Sequence, residues 1–375
     1  MKMFTVKTLN AIDPAGLKRL PQTDFVVDDN AEDPAAIIVR SAKMLDYVPG
    51  PGLLAVARAG AGYNNIPTDR FAELGIYVCN SPGANSNAVK ELAVCALILA
   101  SRNIIGGIDW CRTLAGKGDE VAPLVEKGKA QFTGPELMGK TLGLLGLGAV
   151  GAKVAKAAHA LGMTVLGCDP FLSDALKQEL TGIVEMVPDQ ATLFARSEYL
   201  SLHLPLNADT KNTVRAETIA LMPDGVRIIN IARGELVCDA DMAAALKSGK
   251  VSRYVTDFPN GDTVSMEGCV SIPHLGASTP ESETNCAIMA TDQITEYLLR
   301  GNIVNSVNLP NVRMDRSGKY RAVILAKKDA QVSVEAAAKA EAVRGDIKAV
   351  LADRDEPFDQ AALAAIPGVI RVRVL

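Results

Sequence analysis

The sequence is informative first for what it lacks. No uncharged apolar run approaches the roughly 20 residues that a membrane-spanning helix requires. The opening "MKMFTVKTLNAID" has neither the apolar core nor the small-residue cleavage site of a signal peptide. A cytoplasmic protein with no membrane partner is therefore expected. There is also no block of like charge, since 39 basic residues stand against 43 acidic ones for a formal net charge of −4. The basic face that phosphate backbones demand is missing, so nucleic acid is not an expected partner. Cysteines 79, 95, 111, 168, 238, 269 and 286 are scattered and form no C-x-x-C pair. That argues against a disulfide framework or a zinc site, and no metal is expected. Histidine is scarcer still. Only His159, His203 and His274 are on hand if the chemistry needs an imidazole.

What is present is a chain of 375 residues, 48% of them apolar, long enough for two or three domains. The stretches at 35–41, 53–60 and 75–80 ("AAIIVRS", "LLAVARAG", "GIYVCN") read as parallel strands. Helices are expected between them at 42–48 and 67–75, a βαβ rhythm. A Ser/Asn-capped helix at 86–104 marks a boundary, and a charged loop is expected at 115–130. A second series of six strands and crossovers then has the anatomy of a doubly wound nucleotide-binding domain. A helix at 279–301 returns the chain to the first domain, 305–318 reads as a linker, and 319–375 as a small βαβ-like unit. Within that tail the Ala-rich 334–343 is a helix by propensity.

The second series opens with "LGLLGLGAVG", in which Gly146, Gly148 and Gly151 have the spacing G-x-G-x-x-G. Alone the motif is weak, but an apolar strand precedes it and an amphipathic helix follows. In that setting Gly146 permits a tight turn, Gly148 lets backbone approach a phosphate, and Gly151 lets helix and strand pack closely. The helix N-terminus, with Ala149 and Val150 in its first turn, then offers amides to a pyrophosphate. The next strand ends at Asp169, an acid placed to accept from an adenosine ribose and to favour NAD over NADP.

Further on, "NIARGELV" sets Arg233 directly after an apolar strand, and "SIPHLGAST" sets His274 after a later one. Both lie at carboxyl ends of strands, where ligands bind in this architecture. Guanidinium suits a carboxylate and a polarised carbonyl, and imidazole suits proton transfer near neutral pH. The order "LGLLGLGAVG", "CDP", "LHLPL", "NIARGELV", "TDFP", "IPHLGAST" resembles the D-isomer-specific 2-hydroxyacid dehydrogenases over roughly residues 35–310.

That resemblance implies a Rossmann-type doubly wound parallel sheet inserted into a flavodoxin-like α/β substrate domain, with a small α+β ACT-like tail. The expected boundaries are 1–88 with 285–310 for the substrate domain, 89–284 for the NAD domain and 319–375 for the tail. Arg233, a carboxylate and His274 would act together on a 2-hydroxy acid with NAD as cofactor. The family places a Glu a few residues after an Asp-containing strand end; here that Asp is Asp257, and five residues on stands Asp262. Asp262, Glu267 further along the loop, or neither remains open as the partner of His274. Asp257, His203, Ala232 and Gly276 would neighbour the cofactor, and His159 reads as packing or surface.

In the same resemblance Gly60, Ala61 and Gly62 would present amides to the substrate carboxylate. Arg40, with Ser41, and Arg58 would reach a substrate phosphate, against the alternative that they are ordinary surface arginines. Asn85 would add a polar contact, and Lys127 and Lys129 could contribute from the same or a neighbouring subunit. A phosphorylated 2-hydroxy acid is thus the expected substrate, and an unphosphorylated one such as glycerate or glyoxylate/hydroxypyruvate the alternative. A homodimer or homotetramer is expected. The closing "IPGVIRVRVL" resembles the last strand of an ACT module, but the Pro-Gly turn of its ligand loop is absent, so a degenerate or dimerising tail stands beside an effector-binding one.

Overall fold

The computed structural model describes residues 3–375. Two compact units are present, one built from the chain up to Asn85 together with Pro280–Leu375, the other from Ser86–Thr279. The first begins with β1 (Phe4–Leu9), α1 (Pro14–Leu17), β2 (Phe25–Val27), β3 (Ala36–Val39), β4 (Ala55–Arg58), α2 (Thr68–Glu73) and β5 (Tyr77–Cys79). These strands form a parallel sheet in the order β2-β1-β3-β4-β5, which is the flavodoxin-like order. Ala36, Ile37, Ile38 and Val39 are all fully buried, as expected of a central parallel strand covered on both faces. The helix expected at 42–48 does not form. Met44 is buried while Leu45 and Val48 face solvent, so the segment has no apolar stripe to dock.

The second unit begins with α3 (Ser86–Ser101), α4 (Ile104–Arg112) and α5 (Val121–Gly128). Val89, Ala93, Ala96, Leu97 and Ala100 recur at helical spacing along α3 and enter one core with Leu142, Leu144, Ala152 and Ala155. The charged stretch expected as a loop at 115–130 instead carries α5, which has no buried residue. There follow β6 (Thr141–Leu145), α6 (Ala149–Ala160), β7 (Thr164–Cys168), α7 (Asp174–Glu179), β8 (Glu185–Met186), α8 (Gln190–Arg196), β9 (Tyr199–Leu202), α9 (Ala216–Ala220), β10 (Val226–Asn230), α10 (Asp239–Ser248), β11 (Val251–Thr256) and β12 (Cys269–Ser271). All pair in parallel in the order β12-β11-β10-β9-β6-β7-β8. The strand order reverses between β6 and β9, and ligands bind at the carboxyl ends of strands flanking such a switch point. One strand more is present than the sequence suggested. The addition, β8, is two exposed residues long and has no pattern to detect.

Helix α11 (Pro280–Arg300) then rejoins the first unit, burying Cys286, Ala287, Ala290, Ile294, Tyr297 and Leu298 in its core. The segment 305–318 is not a free linker. Ser306, Leu309 and Val312 are buried, and isolated bridges join Cys79 to Ser306 and Ile303 to Val312. The tail is β13 (Tyr320–Lys327), β14 (Ala338–Arg344), β15 (Ile347–Arg354), α12 (Gln360–Ala364) and β16 (Val369–Val374). It is an antiparallel sheet ordered β14-β15-β13-β16, not a βαβ unit. The Ala-rich helix expected at 334–343 is largely strand β14. Pairing with β15 and the inward packing of Ala340 and Ala342 override local propensity.

Val323, Leu325, Ala349 and Leu351 on one face of this sheet share the α11 core, while Ala322, Ile324, Val350 and Ala352 pack with Ala330, Val332 and Phe358 on the other. Arg321 is fully buried, holding Asp353 through two contacts of 2.7 Å and donating to the carbonyls of Arg300 and Met314 at 2.8 and 3.0 Å. Arg373 donates to the carbonyls of Tyr297 and Leu298 at 3.1 and 2.8 Å. Two tail arginines thus reach carbonyls in the last turn of α11, where the Tyr297 carbonyl also accepts from the Gly301 amide at 2.9 Å. Among the described residues no single helix is long and apolar enough to cross a membrane.

Candidate active site

The turn between β6 and α6 is shaped by its glycines. Gly146 has φ +92°, and a Cβ there would lie 2.7 Å from the carbonyl oxygen of His203, at the end of the neighbouring β9. A Cβ on Gly151 would lie 2.2 Å from the carbonyl oxygen of Gly146, so α6 can sit this close only without a side chain. Gly148 differs: nothing lies within 4 Å of where its Cβ would be. It is the N-cap of α6 and supplies no side-chain cap, so the first-turn amides around Ala149 and Val150 stay open. The Asp169 carboxylate is set by amides of Leu147 at 2.8 Å and Phe171 at 2.9 Å, just past β7. An uncapped helix N-terminus beside an amide-held acid is a donor set that fits a dinucleotide.

Farther along the same carboxyl edge of the sheet, four residues gather past β10, β11 and β12. Arg233 follows β10, and its loop is tied to Asn230. That amide side chain accepts from the N–H groups of Ala232 and Arg233 at 3.2 and 3.3 Å and donates to the Arg233 carbonyl at 2.8 Å. Phe258 follows β11. Its ring centroid is 4.6 Å from that of His274, and the Arg233 guanidinium carbon lies 5.8 Å from the same ring. His274 has φ +21°, outside the regions a side chain prefers, and its amide donates to the carbonyls of Asp257 and Ile272 at 2.9 and 3.0 Å.

Asp257 lies beneath them, almost fully buried. One carboxylate oxygen accepts from the Gly276 amide at 3.0 Å, and the other accepts no hydrogen bond among the described residues. Burial pushes its pKa above the ordinary carboxylate value, against the pull of the Gly276 amide and the charges of His274 and Arg233. A buried acceptor with an open valence is a group awaiting a donor. It fits the carboxamide of a nicotinamide.

Asp262 and Glu267 are the acids considered as partners of His274. Asp262 and Glu267 are exposed, and no hydrogen bond or ion pair joins either to His274 among the described residues. Asp262 is held in a turn where its amide and that of Thr263 donate to the Asn260 side chain at 3.0 and 2.9 Å. His203 lies at the end of β9 with Nε2 3.0 Å from the Ser201 hydroxyl, and burial lowers its pKa to about 4. His159 is exposed in the last turn of α6, while Lys127 and Lys129 are exposed near the end of α5, Lys129 pairing with Glu126. Sequence reasoning missed Phe258 and Asn230. The signals were there, as a residue adjoining Asp257 and one three positions before Arg233.

In the first unit Arg40 follows β3 and Arg58 ends β4. The Asn10 side chain, on a residue with φ +75°, accepts from the amides of Arg40, Ser41 and Ala42 at 3.4, 2.9 and 2.8 Å. The Arg40 guanidinium pairs with Glu283 at 2.5 Å. The Gly60 amide is engaged by the Arg58 carbonyl at 2.9 Å, and the Ala61 carbonyl accepts from Asn80 at 2.6 Å. The amides of Ala61 and Gly62 have no partner among the described residues, and Asn85 is half-buried.

These arrangements agree with what the chain is similar to. Residues 95–276 match the model for the NAD binding domain of the D-isomer specific 2-hydroxyacid dehydrogenases. The D-3-phosphoglycerate dehydrogenase of Methanocaldococcus jannaschii is 33% identical over 307 residues, 79% of this chain and 56% of that protein. The chain spans little more than half the length of several such dehydrogenases. The hydroxypyruvate reductase of Thermotoga maritima is 35% identical over 291 residues, 75% of this chain and 87% of that protein. An NAD+-bound 3-phosphoglycerate dehydrogenase from Entamoeba histolytica superposes with a TM-score of 0.63 at 26% identity, covering 82% of this chain and 99% of that one. With the glycine turn, the amide-held acid and the Arg233–His274 pair all in one such sheet, the chain belongs to the D-isomer specific 2-hydroxyacid dehydrogenase family.

Proposed function

We propose that this protein is an NAD-dependent dehydrogenase that interconverts D-3-phosphoglycerate and 3-phosphohydroxypyruvate, the entry step of phosphorylated serine biosynthesis. The observation that carries the reading is the grouping of Arg233, His274 and buried Asp257 around Phe258 at the carboxyl ends of β10 to β12. Gly146, Gly148, Gly151 and Asp169 would hold the cofactor's pyrophosphate and adenosine ribose, with Ala232, His203 and Gly276 beside it. The open oxygen of Asp257 would receive its carboxamide. NAD, when bound, supplies the acceptor for the hydride that leaves C2.

The chain's own part is positioning and proton handling. Arg233 binds the substrate carboxylate and polarises the oxygen on C2. His274 takes the hydroxyl proton during oxidation and returns it during reduction. Asp257 is one acid close enough to His274 for their charges to interact. Amides at Ala61 and Gly62 add to carboxylate binding, and Arg40 and Arg58 are proposed as phosphate ligands. The support for a phosphorylated substrate is these two arginines and the relatives that bear the name.

A second reading is favoured by two observations. Arg40 is already neutralised by Glu283, and one relative is a hydroxypyruvate reductase. On that reading the substrate is an unphosphorylated 2-hydroxy acid such as glycerate, or the matching keto acid. NADH oxidation with 3-phosphohydroxypyruvate, hydroxypyruvate and glyoxylate at matched concentrations separates the two. A specificity constant higher by orders of magnitude for the phosphorylated acid supports the first reading, and parity supports the second.

A cytoplasmic homodimer or homotetramer is proposed as the working form. Outward-facing Ile104, Ile105 and Ile108 on α4 give it an apolar surface to close. The tail is proposed to be a structural part of the first unit, not an effector sensor, because the segment after β13 closes the sheet with Ala330 and Val332.

A further inference from the structure

Arg40 is held on two sides. Its backbone amide and the two that follow are gathered by Asn10, so only the guanidinium is free to move. That guanidinium meets Glu283 at 2.5 Å, and the two side chains are 39% and 41% exposed. Glu283 itself has little freedom. It lies in the first turn of α11, next to Thr284, which hydrogen-bonds Asp13. One turn on, Ala287 packs so tightly on Gly16 that a Cβ there would lie 2.6 Å away. Arg58 ends the adjacent strand, and its charge and that of Arg40 both reach the Cys286 thiol, which burial raises and which follows Glu283 on α11. A fixed carboxylate thus stands among the two arginines proposed for the substrate phosphate.

We propose that Glu283 is a specificity-determining residue, a resident counter-charge from which a substrate phosphate must take Arg40. The inference rests on the reading of Arg40 as a phosphate ligand. A dianionic phosphate arriving at Arg40 meets the like charge of Glu283 and has to displace it. An unphosphorylated acid brings no such charge and leaves the pair closed. A half-exposed ion pair is weak enough for the exchange to occur, and strong enough to cost affinity. Glu283 therefore narrows the margin by which the enzyme prefers phosphorylated acids.

The test uses the full chain and four proteins: wild type, Glu283→Gln, Arg40→Met and the double variant. For each, kcat and KM are measured with 3-phosphohydroxypyruvate and with hydroxypyruvate at saturating NADH, after melting curves establish folding. Glu283→Gln is expected to raise the ratio of specificity constants toward the phosphorylated acid about two- to fivefold, through KM and not kcat. In the Arg40→Met background the same substitution should move that ratio no further. An unchanged ratio, a proportionate change for both acids, or a higher KM for the phosphorylated acid overturns the proposal. The wild-type ratio reports separately on the substrate. If wild type prefers hydroxypyruvate while Glu283→Gln still shifts the ratio, the substrate reading falls and the role of Glu283 stands.

Discussion

The rings of Phe258 and His274 lie 4.6 Å apart and tilted by 42°, and the Arg233 guanidinium carbon lies 5.8 Å from the centre of the same phenyl ring. One apolar side chain thereby adjoins both groups proposed to handle substrate charge and substrate proton. Phe258→Ala should lower kcat on the order of 10- to 100-fold, since a shift of about 1 Å in a reacting group costs that much. NAD affinity should change far less. Steady-state kinetics with a separate NADH titration checks this, and an unchanged kcat would mean that backbone alone holds His274.

The two glycines of the cofactor turn should respond differently. Gly148 has open space around its Cβ direction and a φ of −63° that alanine adopts. Gly148→Ala should therefore melt like wild type yet bind NADH at least tenfold more weakly, a loss of about 1.4 kcal/mol or more. Gly151→Ala would press a methyl group to 2.2 Å from a carbonyl oxygen, so it should lose thermal stability as well. Calorimetric titration and melting curves on both variants give the comparison.

Acid should expose the burial of His203. Its pKa is lowered from 6.5 to about 4 in the folded protein, so between those values the unfolded chain binds the proton and the folded one does not. The sign follows: this histidine costs stability as pH falls from 6.5 toward 4 and costs nothing above. The full effect is up to about 3 kcal/mol. His203→Gln should flatten the dependence of Tm on pH across that window relative to wild type.

The acid that serves His274 can be found by substitution. Among the described residues no hydrogen bond or ion pair joins Asp262 or Glu267 to the imidazole, so Asp262→Asn and Glu267→Gln should leave kcat within a few-fold. Asp257→Asn removes a charge that reaches His274 and should lower kcat on the order of 100-fold or more. A collapse in Asp262→Asn with a normal Asp257→Asn would reverse the assignment.

The buried pair in the tail should be costly to break. Asp353→Ala leaves the Arg321 guanidinium charged and unpaired where both side chains are fully buried. A loss of about 3–5 kcal/mol is expected in denaturant unfolding. Replacing both residues with apolar ones of similar size should restore much of it.

How much of this was legible in the sequence depended on whether local chemistry and tertiary packing agreed. Around Gly146–Gly151 they did: strand, turn, helix and Asp169 are all dictated within one short stretch. Arg233 and His274 were equally visible, each following an apolar strand. At 334–343 the two conflicted, since alanine favours helix in isolation but the small side chains of Ala340 and Ala342 also pack β14 against the core of the first unit. At 42–48 the composition suited a helix, but the apolar positions do not share a face. The ion pair between Arg40 and Glu283 was out of reach for another reason. It joins residues 243 positions apart, and only the return of α11 brings them together.

That return has a consequence for how the chain is made. Strands β3 and β4 leave the ribosome early, yet Ala36, Ile38, Ala55 and Ala57 share their core with Ala287, Ala290, Ile294 and Tyr297, which are translated more than two hundred residues later. The whole nucleotide-binding unit is synthesised in between and has its own continuous sequence to fold from. The unit that starts first must therefore finish last, with a greasy sheet face waiting on the nascent chain while its inserted neighbour matures. A stalled or prematurely terminated ribosome would release a folded dinucleotide fold attached to an unfinished, aggregation-prone sheet.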